Sequence, residues 1–227
     1  MSIYKYKSVD NIQNLEHTLD IIKNNRLYLP NRNQLNDPLE GVTDMDFGFA
    51  WCRYYSETPF LHPHYDAELS KIRVLSLTKK VDSIIMWSHY AGMFNGVCIE
   101  FDDSITLSNV KPIEYCDNLI IPKNREYTME ETAKEALFHK SKEWQYEEEY
   151  RIISDSEYLK LEKGEIRRIY IGYMVPDNIM KILVDECEMK RIDTKISYVN
   201  PYNCKVVSLD YDEYINLINQ FPDRICE

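Results

Sequence analysis

The chain has 227 residues, 44% of them hydrophobic, and a formal net charge of −11. That length and apolar content suffice for a core without covalent staples, while the excess of acid opposes non-specific binding to phosphate backbones, which depends on many Lys and Arg. Six cysteines with no CxxC pair, an N-terminus without the apolar run of a signal peptide and no apolar stretch long enough for a bilayer predict a soluble, cytoplasmic protein with free thiols.

Asp10 is placed to cap a helix whose apolar positions Ile12, Leu15, Leu19 and Ile22 recur at helical spacing, and Asn24-Asn25 stop it before a short strand at 26–29. Asn36-Asp37-Pro38 has turn chemistry: Asn or Asp bonds the backbone and Pro sets φ. Asp37 and Glu40 lie close enough to face one cavity. Residues 41–66 carry Phe47, Trp51, Tyr54, Pro59 and Phe60, too apolar for disorder, and read as an irregular insertion or lid.

Residues 72–78 alternate as a strand. Asp82 or Ser83 then caps a short helix carrying Met86-Trp87-Ser88-His89-Tyr90, and Gly92 to Gly96 turn the chain into an apolar strand at 97–101. A strand at 111–115 and a long helix over 128–144 follow. After them come strands at 150–153 and 166–171, a helix at 177–187, strands at 196–199 and 205–209, and a terminal helix at 212–219. Strands in runs with helices between them, and no GxGxxG or GxxxxGK[ST], predict an α+β fold. The expected architecture is a single compact domain, with a mixed, largely antiparallel sheet flanked by helices.

Three clusters concentrate polar and aromatic groups: Asn36 to Glu40, Met86 to Tyr90, and Trp144-Gln145-Tyr146-Glu147-Glu148-Glu149-Tyr150-Arg151. Such side chains are poor core filler, because each brings a polar atom that burial must satisfy. Each also has a structural reading. His89 can be a core histidine bonded to a carbonyl, and Arg151 can be the counter-ion that lets Glu149 be buried, since a strand puts Glu147, Glu149 and Arg151 on one face. Ser88 and His89 are helix neighbours pointing about 100° apart, which disqualifies them as a nucleophile and its base. His62-Pro63-His64 is the only HxH and has no partner motif for a metal.

The strings Tyr4-Lys5-Tyr6, Asn36-Asp37-Pro38-x-Glu40, Ser76-Leu77-Thr78, Met86 to Tyr90, Cys98-x-Glu100-Phe101, Lys140-x3-Trp144-x2-Glu147-x-Glu149-x-Arg151 and Ile169-Tyr170-Ile171-Gly172 occur in this order. In them the chain resembles a bacterial and phage family known only as a domain of unknown function, over roughly residues 3 to 180. More loosely it resembles ADP-ribosyltransferase folds. In those, an early strand supplies a His or Arg, a middle strand a Ser or Tyr, and a later strand opens on a catalytic Glu, often within Glu-x-Glu.

That second resemblance implies an NAD-using enzyme, with NAD as co-substrate and no metal. Its implied catalytic residues are Glu149, Glu147 and Ser76, to which the company of Trp87, Ser88 and Tyr90 adds His89. Lys5, Tyr6, Asn36, Asp37, Glu40, Thr78, Trp87, Ser88, Tyr90 and Arg151 would bind the nucleotide. Lys5 stands where such folds prefer His or Arg. The family's distribution implies a role in conflict between phage and bacterium, and the acceptor is left open. Two other readings compete: a Mg²⁺-dependent nuclease or hydrolase built on Asp37, Glu40, Glu100 and Glu149, and a non-catalytic nucleotide-sensing or interaction domain.

Overall fold

The computed structural model describes residues 2–42, 63–102, 107–117 and 127–220. The fold is α+β, with a mixed, largely antiparallel sheet. By contacts the chain divides into two units, Met1–Arg26, Leu77–Ser108 and Lys160–Glu227 forming the first, and Leu27–Ser76 and Asn109–Leu159 the second.

The first unit contains β1 (Ile3–Ser8), α1 (Ile12–Asn24), α3 (Ile84–Tyr90) and β4 (Gly96–Phe101). Later in the chain it adds β10 (Ile166–Gly172), α5 (Asp177–Lys190), β11 (Asp193–Asn200), β12 (Lys205–Asp210) and α6 (Tyr211–Gln220). Its strands lie in the order β12-β11-β10-β4-β1, antiparallel throughout except for β10 with β11. All of β4 is buried, as its central place requires. α1 packs on β1 and on α5, burying Thr18, Ile21 and Ile22. Its cap is Asn11, one residue beyond the expected Asp10, because Asn11 Oδ1 accepts from the Asn14 amide at 2.9 Å. Asn25, at φ 49°, ends the helix as expected.

The aromatic string of α3 closes one side of this unit. Ser83 caps the helix through the Met86 amide. Trp87 has no exposed surface: its indole stacks on Phe94 at 5.0 Å, meets the edge of Tyr6 at 5.3 Å, and donates to the Val81 carbonyl at 2.9 Å. Two glycines permit the turn that follows. A Cβ on Gly96 would lie 2.4 Å from the Lys7 carbonyl oxygen, and one on Gly172 only 2.0 Å from that of Phe94.

The second unit holds β2 (Arg26–Tyr28), α2 (Pro63–Lys71), β3 (Arg73–Thr78), β5 (Lys111–Pro112), β6 (Glu114–Cys116) and α4 (Met129–Ala136). These are followed by β7 (His139–Ser141), a 3-10 turn at Lys142–Glu147, β8 (Glu149–Ser154) and β9 (Tyr158–Lys160). The boundary between units falls inside β3, whose Thr78 is opposite Tyr4 in the first. β8 lies between β3 and β5. α2 packs on α4, and Tyr65, Leu69, Ile72, Val74, Ala133 and Leu137 form the core there.

Two further expectations are corrected. The long helix over 128–144 stops at Ala136: Lys140 and its neighbours pair in parallel with β6, and Lys140 takes up ion pairs, which outweigh local helix propensity. The strand at 111–115 breaks into β5 and β6. The insertion expected at 41–66 falls for residues 43–62 outside the described residues, while Pro63 onward is helical.

Candidate functional site

The second unit gathers Glu40, Lys140, Glu147, Glu149 and Arg151, all buried, into one ionic network. Arg151 lies on β8. Its guanidinium donates to Glu40 at 2.6 and 2.5 Å, to Glu149 at 2.6 and 3.0 Å, and to the Leu137 carbonyl at 2.7 Å. A guanidinium has five N–H groups, and these five bonds account for them. Lys140 donates to Glu147 at 2.7 Å and to Glu149 at 3.1 Å, stands 3.8 Å from Glu40, and lies over the Trp144 ring at 4.7 Å.

Glu147 and Glu149 reach the same ammonium by a route different from the expected shared strand. Glu147 ends the 3-10 turn, Glu148 takes φ 43°, and only Glu149 begins β8. The intervening left-handed residue reorients the chain so that both carboxylates point at Lys140. Two hydroxyls complete the surroundings of Glu149. The Ser76 hydroxyl donates to its carboxylate, and its backbone amide donates to the Tyr115 phenol oxygen at 2.8 Å.

Electrostatics distinguish Glu149 from Glu40. Burial pushes the Glu149 carboxyl up, but Arg151 and Lys140 outweigh it and hold the group down at about 2. For Glu40 burial wins over Arg151, and its carboxyl is raised. Burial opposes the charge on Lys140, yet Glu149, Glu147 and Glu40 raise it. Three carboxylates face two cations, a formal excess of one negative charge.

The Asn36-Asp37-Pro38-x-Glu40 string is a turn that delivers Glu40 to this network. Asp37 Oδ1 accepts from the Leu39 amide at 2.9 Å, and Asp37 O from the Glu40 amide at 3.2 Å. Arg32 donates to the Glu40 carbonyl at 2.7 Å, and the Tyr65 hydroxyl to that of Gly41 at 2.9 Å. Asn36 is exposed.

The remaining candidates, Lys5, Tyr6, Thr78, Trp87, Ser88, His89 and Tyr90, belong to the first unit. Trp87 and Tyr6 are interlocked with one another, and the Tyr6 hydroxyl donates to the Lys80 carbonyl at 2.9 Å. Rings engaged in this way pack the core, leaving no open face for a base. Thr78 is buried and accepts from the Lys80 amide; Ser88 donates to the Ile84 carbonyl. His89 is exposed, contrary to the core-histidine reading, and Tyr90 is half-buried. Lys5 is half-buried on β1.

Sequence reasoning passed over Tyr115, and it placed Lys140 on a helix. The spacing Lys140-x6-Glu147-x-Glu149 was a usable signal for Lys140. Tyr115 had none, because its contact is to a backbone amide 34 residues away. The first unit holds a further buried acid, read from the sequence within Cys98-x-Glu100-Phe101 and as a nuclease ligand. Glu100, buried in β4, accepts from Ser2 at 2.8 Å, Tyr170 at 3.0 Å and Arg168 at 3.4 Å. Among the described residues no three His, Cys, Asp or Glu side chains are grouped to hold a metal ion, and no helix is long and apolar enough to cross a membrane.

Residues 86–152 match the model of a family described as a protein of unknown function (DUF2971). The matched stretch holds the Trp87 cluster of the first unit and the Lys140, Glu147, Glu149 and Arg151 members of the network. No curated protein and no solved structure matches the chain.

Proposed function

We propose that the protein is an ADP-ribosyltransferase-like enzyme that uses NAD, with Glu149 as the carboxylate that stabilises positive charge at the ribose. The observation that carries this reading is the Ser76 to Glu149 hydrogen bond, which joins a hydroxyl of the middle strand to the acid that opens the later one. Cleavage of the bond between the ribose C1′ and the nicotinamide nitrogen sends its electron pair to nicotinamide and leaves an oxocarbenium-like centre. An acid kept ionised in advance lowers the energy of such a centre without reorganising, and Arg151 and Lys140 keep Glu149 ionised. Water or an acceptor nucleophile then takes the C1′ position. Conflict between phage and bacterium is the setting we propose for this activity.

One observation favours a second reading, a non-catalytic nucleotide-sensing or interaction domain. Both oxygens of Glu149 are already taken by Arg151 and Lys140, and the side chain is only 5% exposed. A Mg²⁺-dependent nuclease fares worse on the same ground, because a divalent ion at Glu40 and Glu149 would have to displace both cations.

Nicotinamide release from NAD by the full chain and by Glu149→Gln decides between these readings. The enzyme reading expects release that falls about a hundredfold or more in a folded Glu149→Gln variant, the scale of losing one electrostatic stabiliser. Full turnover in the folded variant sinks the assignment. A rise in melting temperature with NAD but no nicotinamide from the wild type establishes the sensor. Mg²⁺-dependent cleavage of nucleic acid would establish the nuclease.

A further inference from the structure

One edge of β8 is covered over only part of its length. β5 pairs with it at Lys111 opposite Arg151 and Pro112 opposite Tyr150, and the Ile113 amide donates to the Glu149 carbonyl at 3.0 Å. Backbone groups alternate in direction along a strand, so Glu149, Arg151 and Ile153 aim theirs at this edge. The register would set Asn109 opposite Ile153, but residues 107–109 form a turn. Among the described residues no strand pairs with Ile153 on this side.

Beside the gap lies an open cavity of about 670 Å³ whose lining includes Phe138, Ile152, Ile153, Glu135 and Asp155. The charges on its rim are unequally satisfied. Lys134 is paired with Glu130, Glu131 closes a capping box with Thr128, and Lys111 sits over the Phe138 ring at 5.6 Å. Glu135 and Asp155 are exposed and make no ion pair among the described residues; Asp155 acts at longer range on Lys134, which is already paired with Glu130.

We propose that this groove takes an extended peptide segment of a partner protein, added as a strand along β8 at Ile153. One apolar side chain would sit beside Phe138 and Ile153, and a Lys or Arg two residues on would meet Glu135 and Asp155. Strand addition supplies affinity through the backbone and specificity through alternate side chains. Here the open edge provides the first, and the groove, with Phe138 and Ile153 beside the exposed carboxylates of Glu135 and Asp155, the second. The proposal stands apart from the NAD reading, since none of these groups belongs to the Glu149 network.

The test is amide exchange and chemical-shift titration of the full chain with the acetylated, amidated peptide Thr-Val-Thr-Lys-Thr-Val. Its counterpart with Glu in place of Lys is the control. The Ile153 amide should exchange freely in the protein alone and slow by about tenfold or more when the Lys peptide saturates the site. The Lys peptide should bind about fivefold tighter than the Glu peptide, and the double variant Glu135→Gln with Asp155→Asn should remove that difference. Absence of Ile153 protection at millimolar peptide overturns the proposal, and so does equal affinity for the two peptides. Protection of Ile153 in the free protein also overturns it: at every concentration it would mean that the chain covers its own edge, and only at high concentration that a second copy does.

Discussion

Glu40 and Arg151 are 111 residues apart and joined by two hydrogen bonds of 2.6 and 2.5 Å, each side chain 1% exposed. The pair ties the turn at Asn36-Asp37-Pro38-x-Glu40 to the start of β8. Its worth lies in the alternative, because either group left alone would be a bare charge in the core.

Arg151→Lys should therefore destabilise the protein by about 3–5 kcal/mol, the scale of breaking a buried pair. Lysine keeps the charge but cannot reproduce a fork that serves Glu40, Glu149 and Leu137 O together. Urea unfolding monitored by circular dichroism measures the loss. A change below about 1 kcal/mol would mean that the network is not tight in solution.

The Glu149 carboxyl, held at about 2 against an ordinary 4.5, makes stability depend on pH. A folded value below the unfolded one means that the unfolded chain binds more protons between the two. The contribution, on the order of 3 kcal/mol, is thus complete above about pH 4.5 and is lost as pH falls toward 2. Glu40, raised by burial, acts in the opposite sense: its contribution is present below its ordinary value and is lost as pH rises through the folded one. Unfolding at pH 7, 4.5 and 2.5 should show Glu149→Gln to be flatter than the wild type. Parallel curves would show that Glu149 does not carry the acid dependence.

Tyr115→Phe removes the oxygen that accepts from the Glu149 amide. An unsatisfied buried donor costs about 1–3 kcal/mol, and chemical denaturation should read a loss in that range. The Glu149 amide should also exchange faster with solvent, which a general loosening confined to the Tyr115 ring would not produce.

Trp87→Ala should cost about 3–5 kcal/mol, as expected for emptying a fully buried aromatic site. Trp87→Phe keeps a ring against Phe94 but loses the bond to Val81 O, and should cost less. Thermal melts of the two variants rank them. If Trp87→Ala is neutral, the indole is not the wedge between Tyr6 and Phe94.

Gly172→Ala places a methyl 2.0 Å from the Phe94 carbonyl oxygen, a backbone atom that cannot rotate away. A loss of about 3 kcal/mol or more follows from such overpacking. Soluble expression and melting temperature test it, and an unperturbed variant would contradict the close approach of β10 to the turn after α3.

Local patterns carried much of the architecture. Helical spacing and an Asn stop located α1, a Ser cap and the turn glycines located α3 and β4, and runs of strands without nucleotide loops indicated the α+β class, because these signals are set within a few residues by backbone sterics and capping. Lys140 shows where such signals end: its neighbourhood reads as helix, yet pairing with β6 and three carboxylates draw it into a strand. The site divides in the same way. Glu149 with Arg151 was legible as a pair at strand spacing, whereas Glu40 joining it from 111 residues away, Tyr115 accepting its amide and Trp87 closing on Phe94 and Tyr6 were decided by tertiary structure alone. Long-range hydrogen bonds and ion pairs leave no period in a sequence, since their partners are brought together only when the core that buries them forms.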